Sequence, residues 1–396
     1  MLGDKRFLRT IKLQNILSFG PDTPEFELLS LNVLVGANGA GKSNLIEAIS
    51  LLQATPRDLL EPVRTGGGIA EWLWKGSDQV PIAEMDTTVS YPEGMPLRHK
   101  LKFTMVGQRL ELVDEAIEDE RHPPAGIVPN VNFYYRYYGG HPVLKPKAGA
   151  PPPARRQLRR QDLALDQSVL SQRKDPDQYP ELTYLGSAYS KIRLFREWNL
   201  GRNTQPRRPQ PTDLAADFLL EDASNVALVL NNIEGLRASL VERLKDADES
   251  IKGISTKVSG GTIQVFLHYS GLPAIPATRL SDGTIRYLSL LAILCHPDPP
   301  PLVCLEEPEL GLHPDLLPRL ADLLVEASHR LQLIVTTHSD VLVDGLTKTP
   351  EAVVVCEKQN GSTKMGRRTG AELTKWLEDY GLGQLWRRGE IGGNRW

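Results

Sequence analysis

The run Gly36-Ala-Asn-Gly-Ala-Gly-Lys-Ser43 places three glycines, an ammonium and a hydroxyl within eight positions. Glycines let a backbone turn tightly and aim several N–H groups at one anion. Lys42 can reach the β- and γ-phosphates of a nucleotide, and the Ser43 hydroxyl can hold Mg2+. Ala37, Asn38 and Ala40 complete the loop, and Asn44 continues into the segment behind it. The elements that must position this loop flank it. Leu31–Val35 is a short apolar run that reads as a buried strand, and Ser43–Gln53 repeats apolar residues at helical spacing. The helix adds its positive dipole end to the same spot.

A second set of reactive residues lies near the other end of the chain. Pro301–Glu309 is an apolar strand that runs into carboxylates. Such a pair is costly at a strand end without a cation, so Glu306 is expected to approach Mg2+, directly or through water. Glu307 is expected to polarise the attacking water. Leu331–His338 reads as another strand, ending in His338-Ser339-Asp340. Between these and the phosphate loop, Arg279-Leu-Ser-Asp-Gly-Thr-Ile-Arg286 opens a helix at Ser281 and Gly283. A hydroxyl and backbone N–H groups at a positive dipole end suit a γ-phosphate.

The chain has 396 residues and a net charge of −3, enough to bury a large core in roughly two or three lobes. Cys295, Cys304 and Cys356 stand apart in apolar surroundings, reading as reduced, buried thiols of a cytoplasmic protein. There is no signal-peptide pattern after Met1. No run approaches the roughly 18 to 20 apolar residues of a membrane span.

Charge is unevenly distributed. Lys145–Gln210 carries 14 basic and 6 acidic side chains, leaving the remainder of the chain at −11. A basic arm on an acidic body suits a nucleic-acid backbone, with Arg155, Arg156, Arg159 and Arg160 as candidate contacts; a solvated arm without ligand is the alternative. Strands are expected at 6–18, 83–91, 97–106, 109–113, 131–138, 262–269 and 352–357. Glu25–Leu29 could return antiparallel to the first of them. Asp213–Ile251 reads as helical, with Asp222 or Ser224 as cap.

The marks GANGAGKSNLIEAI, LSDGTIR, EEPELGLHP and TTHSD resemble an ABC-type ATPase head. Their order is similar to that of the RecF/SMC-like branch of AAA-family ATPases, related to the ATPase half of OLD-type proteins. The resemblance implies an α/β P-loop NTPase fold with a mixed or parallel sheet, a β-subdomain and an inserted helical arm. The expected segments are 1–80 for the first half of the head, 81–144 for the β-subdomain, 145–260 for the basic and helical arm, and 261–396 for the second half.

It also implies ATP and Mg2+ as cofactors, and a homodimer formed head-to-tail on ATP. Ser281 and Gly283 would then act on the partner's nucleotide, and His338 would contact the γ-phosphate. Here Glu306 stands where Asp is usual. A glutamine contact to Mg2+ is expected in the first half, for which Gln53 and Gln108 are both candidates. The function implied is a DNA-linked ATPase switch in repair or phage and plasmid defence, working with a separate effector protein and without a membrane. The alternative is a nucleotide-dependent scaffold for a protein partner. A transporter subunit fits poorly, because Ser43 and Gly283 lie 240 positions apart.

Overall fold

A computed structural model describes residues 5–120, 132–138, 141–146, 156–158, 163–232 and 237–393. At its centre is a six-stranded sheet, with Arg193–Phe195, Leu302–Glu306, Gln332–Thr336, Leu31–Val35, Val353–Gln359 and Ser362–Arg367 in that spatial order. The first five pair in parallel and the last antiparallel.

The sequence makes this sheet two-faced. Leu31, Val33, Val35, Val303, Leu305, Leu333 and Val335 enter one core cluster. Leu34, Leu302, Cys304, Ile334, Val354 and Cys356 enter the other. Side chains alternate across a strand, so an unbroken apolar run is what a sheet covered on both sides requires. The first face is packed by the helices Val226–Asn232, Asp282–Leu294 and Leu317–Ala327. The second is packed by the helix Lys42–Ala54, whose Leu45, Ile46, Ile49 and Leu52 are at most 1% exposed. Each such side chain contributes about 2 kcal/mol. That rigid backing fixes the direction of the helix and of the loop before it.

An antiparallel eight-stranded sheet lies against the second cluster, through Leu8, Ile11, Leu13, Met85 and Leu101. It includes the expected N-terminal strand as Leu8–Gln14, with Phe26–Glu27 returning antiparallel to it. A four-stranded sheet is built around Thr262–Tyr269 and Ile251–Ser259.

Two features differ from the sequence reading. Residues 213–225 are not helical; the helix starts at Val226. The buried Asn225 amide bonds Ala215 O and Phe218 O and accepts from Leu220 N, holding an irregular turn that still buries Phe218 and Leu219. Asp222 accepts from Ser224 N within that turn. Secondly, the basic stretch supplies the helix Pro180–Ser190 and the strand Arg193–Phe195, which pairs with the carboxylate strand.

Cys295, Cys304 and Cys356 are buried free thiols, and burial pushes the Cys356 thiol up to about 12. No helix among the described residues is long and apolar enough to cross a membrane.

Candidate functional site

The glycine loop leaves the end of Leu31–Val35 and turns through positive φ at Gly36, Gly39 and Gly41. Gly41 combines a φ of 97° with a close approach: a Cβ there would collide with Thr363 Oγ1 and Ser18 Oγ. These two hydroxyls form the floor of the loop. Thr363 Oγ1 donates to Ala40 O at 2.9 Å and lies 2.7 Å from Ser18 Oγ. Neither residue stands out in the sequence, because each meets the loop only through tertiary pairing. The helix Lys42–Ala54 has no side-chain cap and no acidic residue in its first turn, so its terminal N–H groups are left for an anion.

Lys42 is 6% exposed, and its ammonium donates to Gly36 O and Ala37 O, each at 3.0 Å. Burial lowers its pKa, opposed by the charges of Cys356, Glu307, Glu306 and Glu309. The phosphate loop and the carboxylate strand therefore share one electrostatic site.

The carboxylates leave their strand in three directions. Glu306 ends Leu302–Glu306. Glu307 adopts φ 46°, a left-handed conformation costly for a residue with a Cβ. Its N–H is held by Thr336 O at 3.1 Å and Thr336 Oγ1 at 3.2 Å. This turn brings Glu307 Oε1 to 3.5 Å from His338 Nε2. Glu309 points inward. One oxygen accepts from Thr337 Oγ1 at 2.6 Å and from His338 N at 2.9 Å; the other is buried with no hydrogen-bond partner. Burial raises the Glu309 pKa against the lowering by those two donors.

Arg196 follows directly on the strand Arg193–Phe195. Its Nε lies 3.4 Å from Glu306 Oε2 and its Nη2 pairs with Glu47. Trp198 Nε1 donates to Glu306 O at 3.0 Å.

Ser281 caps the helix Asp282–Leu294, accepting from Thr284 N at 3.1 Å. A Cβ on Gly283 would sit 2.6 Å from Gly311 O, so the loop after the carboxylates packs directly on this turn. Ser281 bonds to Thr284 and Gly283 packs on Gly311, on a turn separate from the phosphate loop's own contacts. Arg207, 2% exposed, braces the turn from beneath: it donates to Leu200 O at 2.7 Å and to Leu280 O, and pairs with Asp282. Replacing Arg207 with Ala leaves two buried carbonyls unpaired, an expected loss of about 2 to 3 kcal/mol in urea unfolding.

Neither glutamine candidate reaches the carboxylates. Gln53 donates to Ile192 O and Glu221 Oε1, each at 2.8 Å. Gln108 sits at φ 69° in the exposed turn between Leu97–Val106 and Arg109–Asp119. Arg155, Arg159 and Arg160, and the side chain of Arg156, lie outside the described residues. Two charges of the basic stretch, Arg196 and Arg207, are committed to internal contacts.

A mostly parallel sheet that presents a glycine loop, two adjacent carboxylates and a histidine at its strand ends, with an S-x-G helix start, has the α/β fold of a P-loop ATPase head of the ABC type. The chain belongs to the AAA_21 family, described as "AAA domain, putative AbiEii toxin, Type IV TA system", whose model matches residues 31–123 and 145–344.

Among solved structures, it is similar to an SmcHead bound to the C-winged helix domain of ScpA. That match has a TM-score of 0.59 and 14% identity, covering 92% of this chain and 98% of that one. It is also similar to an Smc head domain with an extended coiled coil bound to the C-terminal domain of ScpA, derived from Pyrococcus furiosus. Here the TM-score is 0.59 at 13% identity, over 94% of this chain and 99% of that one. A curated relative, the DNA double-strand break repair Rad50 ATPase of Sulfolobus acidocaldarius, is 48% identical over 54 residues, which is 13% of this chain and 6% of that protein.

Proposed function

We propose that the chain binds and hydrolyses ATP at the junction of the phosphate loop and the carboxylate strand. The observation that carries this reading is Lys42: a buried ammonium held by the loop's own carbonyls and within electrostatic reach of Glu306, Glu307 and Glu309. Gly36 to Asn44 would cradle the phosphates. Ser43 and Glu306 offer hard oxygen donors, the type that Mg2+ takes, and would hold it; the cation would supply neutralisation of phosphate charge. Glu307, braced at its N–H by Thr336, would orient and deprotonate the attacking water. His338, whose backbone is fixed by Glu309, would contact the γ-phosphate.

Ser281 is exposed in the single chain. We assign it and Gly283 to the nucleotide of a second copy, giving a head-to-tail dimer with two-fold symmetry. ATP would close this dimer and hydrolysis would open it. The Glu307→Gln protein is expected to double its mass in solution with ATP and Mg2+ and to remain monomeric without them. An unchanged mass with ATP would reduce Ser281 and Gly283 to a helix cap.

The switch is proposed to act on DNA, in repair or in defence with a separate effector. The double-strand break repair role of the Rad50 relative, the family description and the basic stretch support this. Log affinity for duplex DNA should then fall linearly with log salt. The ScpA-bound Smc heads favour a second reading, a protein partner in place of DNA. Salt-insensitive DNA retention, or none, would select it.

A further inference from the structure

In the sequence Arg196 is one charge among the 14 of the basic stretch, yet the sheet places it at the candidate cation site. Phe195 pairs with Leu305, so the chain leaves the sheet beside Glu306. The guanidinium lies between Glu306 and Glu47, a residue one turn beyond Ser43 on the helix behind the phosphate loop. Both carboxylates are 17% exposed and Arg196 is 35% exposed. Two carboxylates held this close need a positive charge between them, and Arg196 supplies it.

The next residues lead away from the site. Trp198 donates to Glu306 O, stacks on Phe195 at 5.8 Å, and carries the Arg286 guanidinium over its ring at 5.0 Å. Arg286 lies on the helix that Ser281 caps, and also donates to Leu310 O. The segment from Arg196 to Trp198 therefore touches the carboxylate at one end and, at the other, the helix Asp282–Leu294 that carries the S-x-G start, here called the signature helix.

We propose that Arg196 is the resident counter-charge of Glu306, that it gives up this carboxylate when a divalent cation is loaded, and that Trp198 passes the displacement to the signature helix through Arg286. The inference rests on the nucleotide reading above. Its physical basis is that a guanidinium and a divalent cation on one carboxylate oxygen repel each other strongly in a half-buried site. Arg196 retains Glu47 as a second partner, so it can swing without becoming an unpaired buried charge. Arg196 is thus a positioning residue, setting how tightly the cation is held and what the signature senses.

The test uses the full chain in the Glu307→Gln background with an excess of ATP. Mg2+ is titrated by calorimetry and, in parallel, by tryptophan fluorescence. Arg196→Ala is expected to tighten the apparent Mg2+ affinity about fivefold, the scale of a half-exposed ion pair, and Arg196→Lys to return it towards the starting value. Trp198→Phe should remove the Mg2+-dependent fluorescence change from the six-tryptophan signal. An unchanged or weaker Mg2+ affinity in folded Arg196→Ala protein overturns the exchange. A fluorescence change that survives Trp198→Phe overturns the relay. Binding of a fluorescent ATP analogue to the same samples separates the two levels. If the parent protein does not bind it, the nucleotide reading falls and the exchange with it. If it binds with an Mg2+ dependence indifferent to Arg196, only the exchange falls.

Discussion

Glu307→Gln protein is expected to retain ATP and to turn it over roughly 10²- to 10⁴-fold more slowly, the usual contribution of a positioned general base. The amide keeps the size and can still accept from neighbours, so the change isolates proton acceptance from packing. The unusual backbone supports this assignment. A non-glycine residue at φ 46° is held there by two contacts to Thr336 and faces His338 at 3.5 Å. Strain retained next to the candidate reacting centre is more informative than the presence of a carboxylate alone. Single-turnover hydrolysis with bound ATP measures the effect directly. A loss of less than about tenfold would move the base elsewhere.

Two inactive proteins should repair each other. Lys42→Ala removes the ammonium proposed to reach the phosphates, and Ser281→Arg blocks the proposed signature with bulk and charge. Each homodimer then has two defective sites. If the signature acts in trans, a mixed dimer has one intact site: the phosphate loop of the Ser281→Arg subunit against the signature of the Lys42→Ala subunit. An equal mixture should recover roughly a quarter of the parent ATPase rate, since half of the dimers are mixed and each carries one of two sites. The rate should rise with total concentration. No recovery at concentrations where the parent dimerises would place both defects in the same site and remove the trans arrangement.

What could be read from the sequence was whatever is written locally. The glycine loop, the carboxylates and the terminal histidine each sit at the end of a buried apolar strand, and their residue types carry the chemistry at short spacing. Arg196 was hidden because its strand is three residues long and its partner Glu306 is 110 positions away. Ser18 and Thr363 were hidden for the same reason, as they meet across 345 positions. The misread segment before Val226 shows the opposite failure. Its apolar spacing satisfied a helix, but the Asn225 side chain offers the backbone three hydrogen bonds in another conformation. Arg155, Arg156, Arg159 and Arg160 could be read as charge but not as place, since three of them and the side chain of Arg156 fall outside the described residues.

The order of strands in the central sheet has a consequence for synthesis. Leu31–Val35 emerges early, yet both of its neighbours, Gln332–Thr336 and Val353–Gln359, come from the last quarter of the chain. At about 5 to 20 residues per second, the intervening 300 or so residues take roughly 15 to 60 seconds to translate. During that interval an apolar strand stands with two unpaired edges, the condition that favours misassembly. The antiparallel sheet, whose hairpins pair locally, can form first. The helix Lys42–Ala54 can dock on it, covering part of the same apolar surface. The nascent protein should therefore show two stages: an early protease-resistant core, and a late, slow closure in which the phosphate loop gains its floor and its carboxylates together.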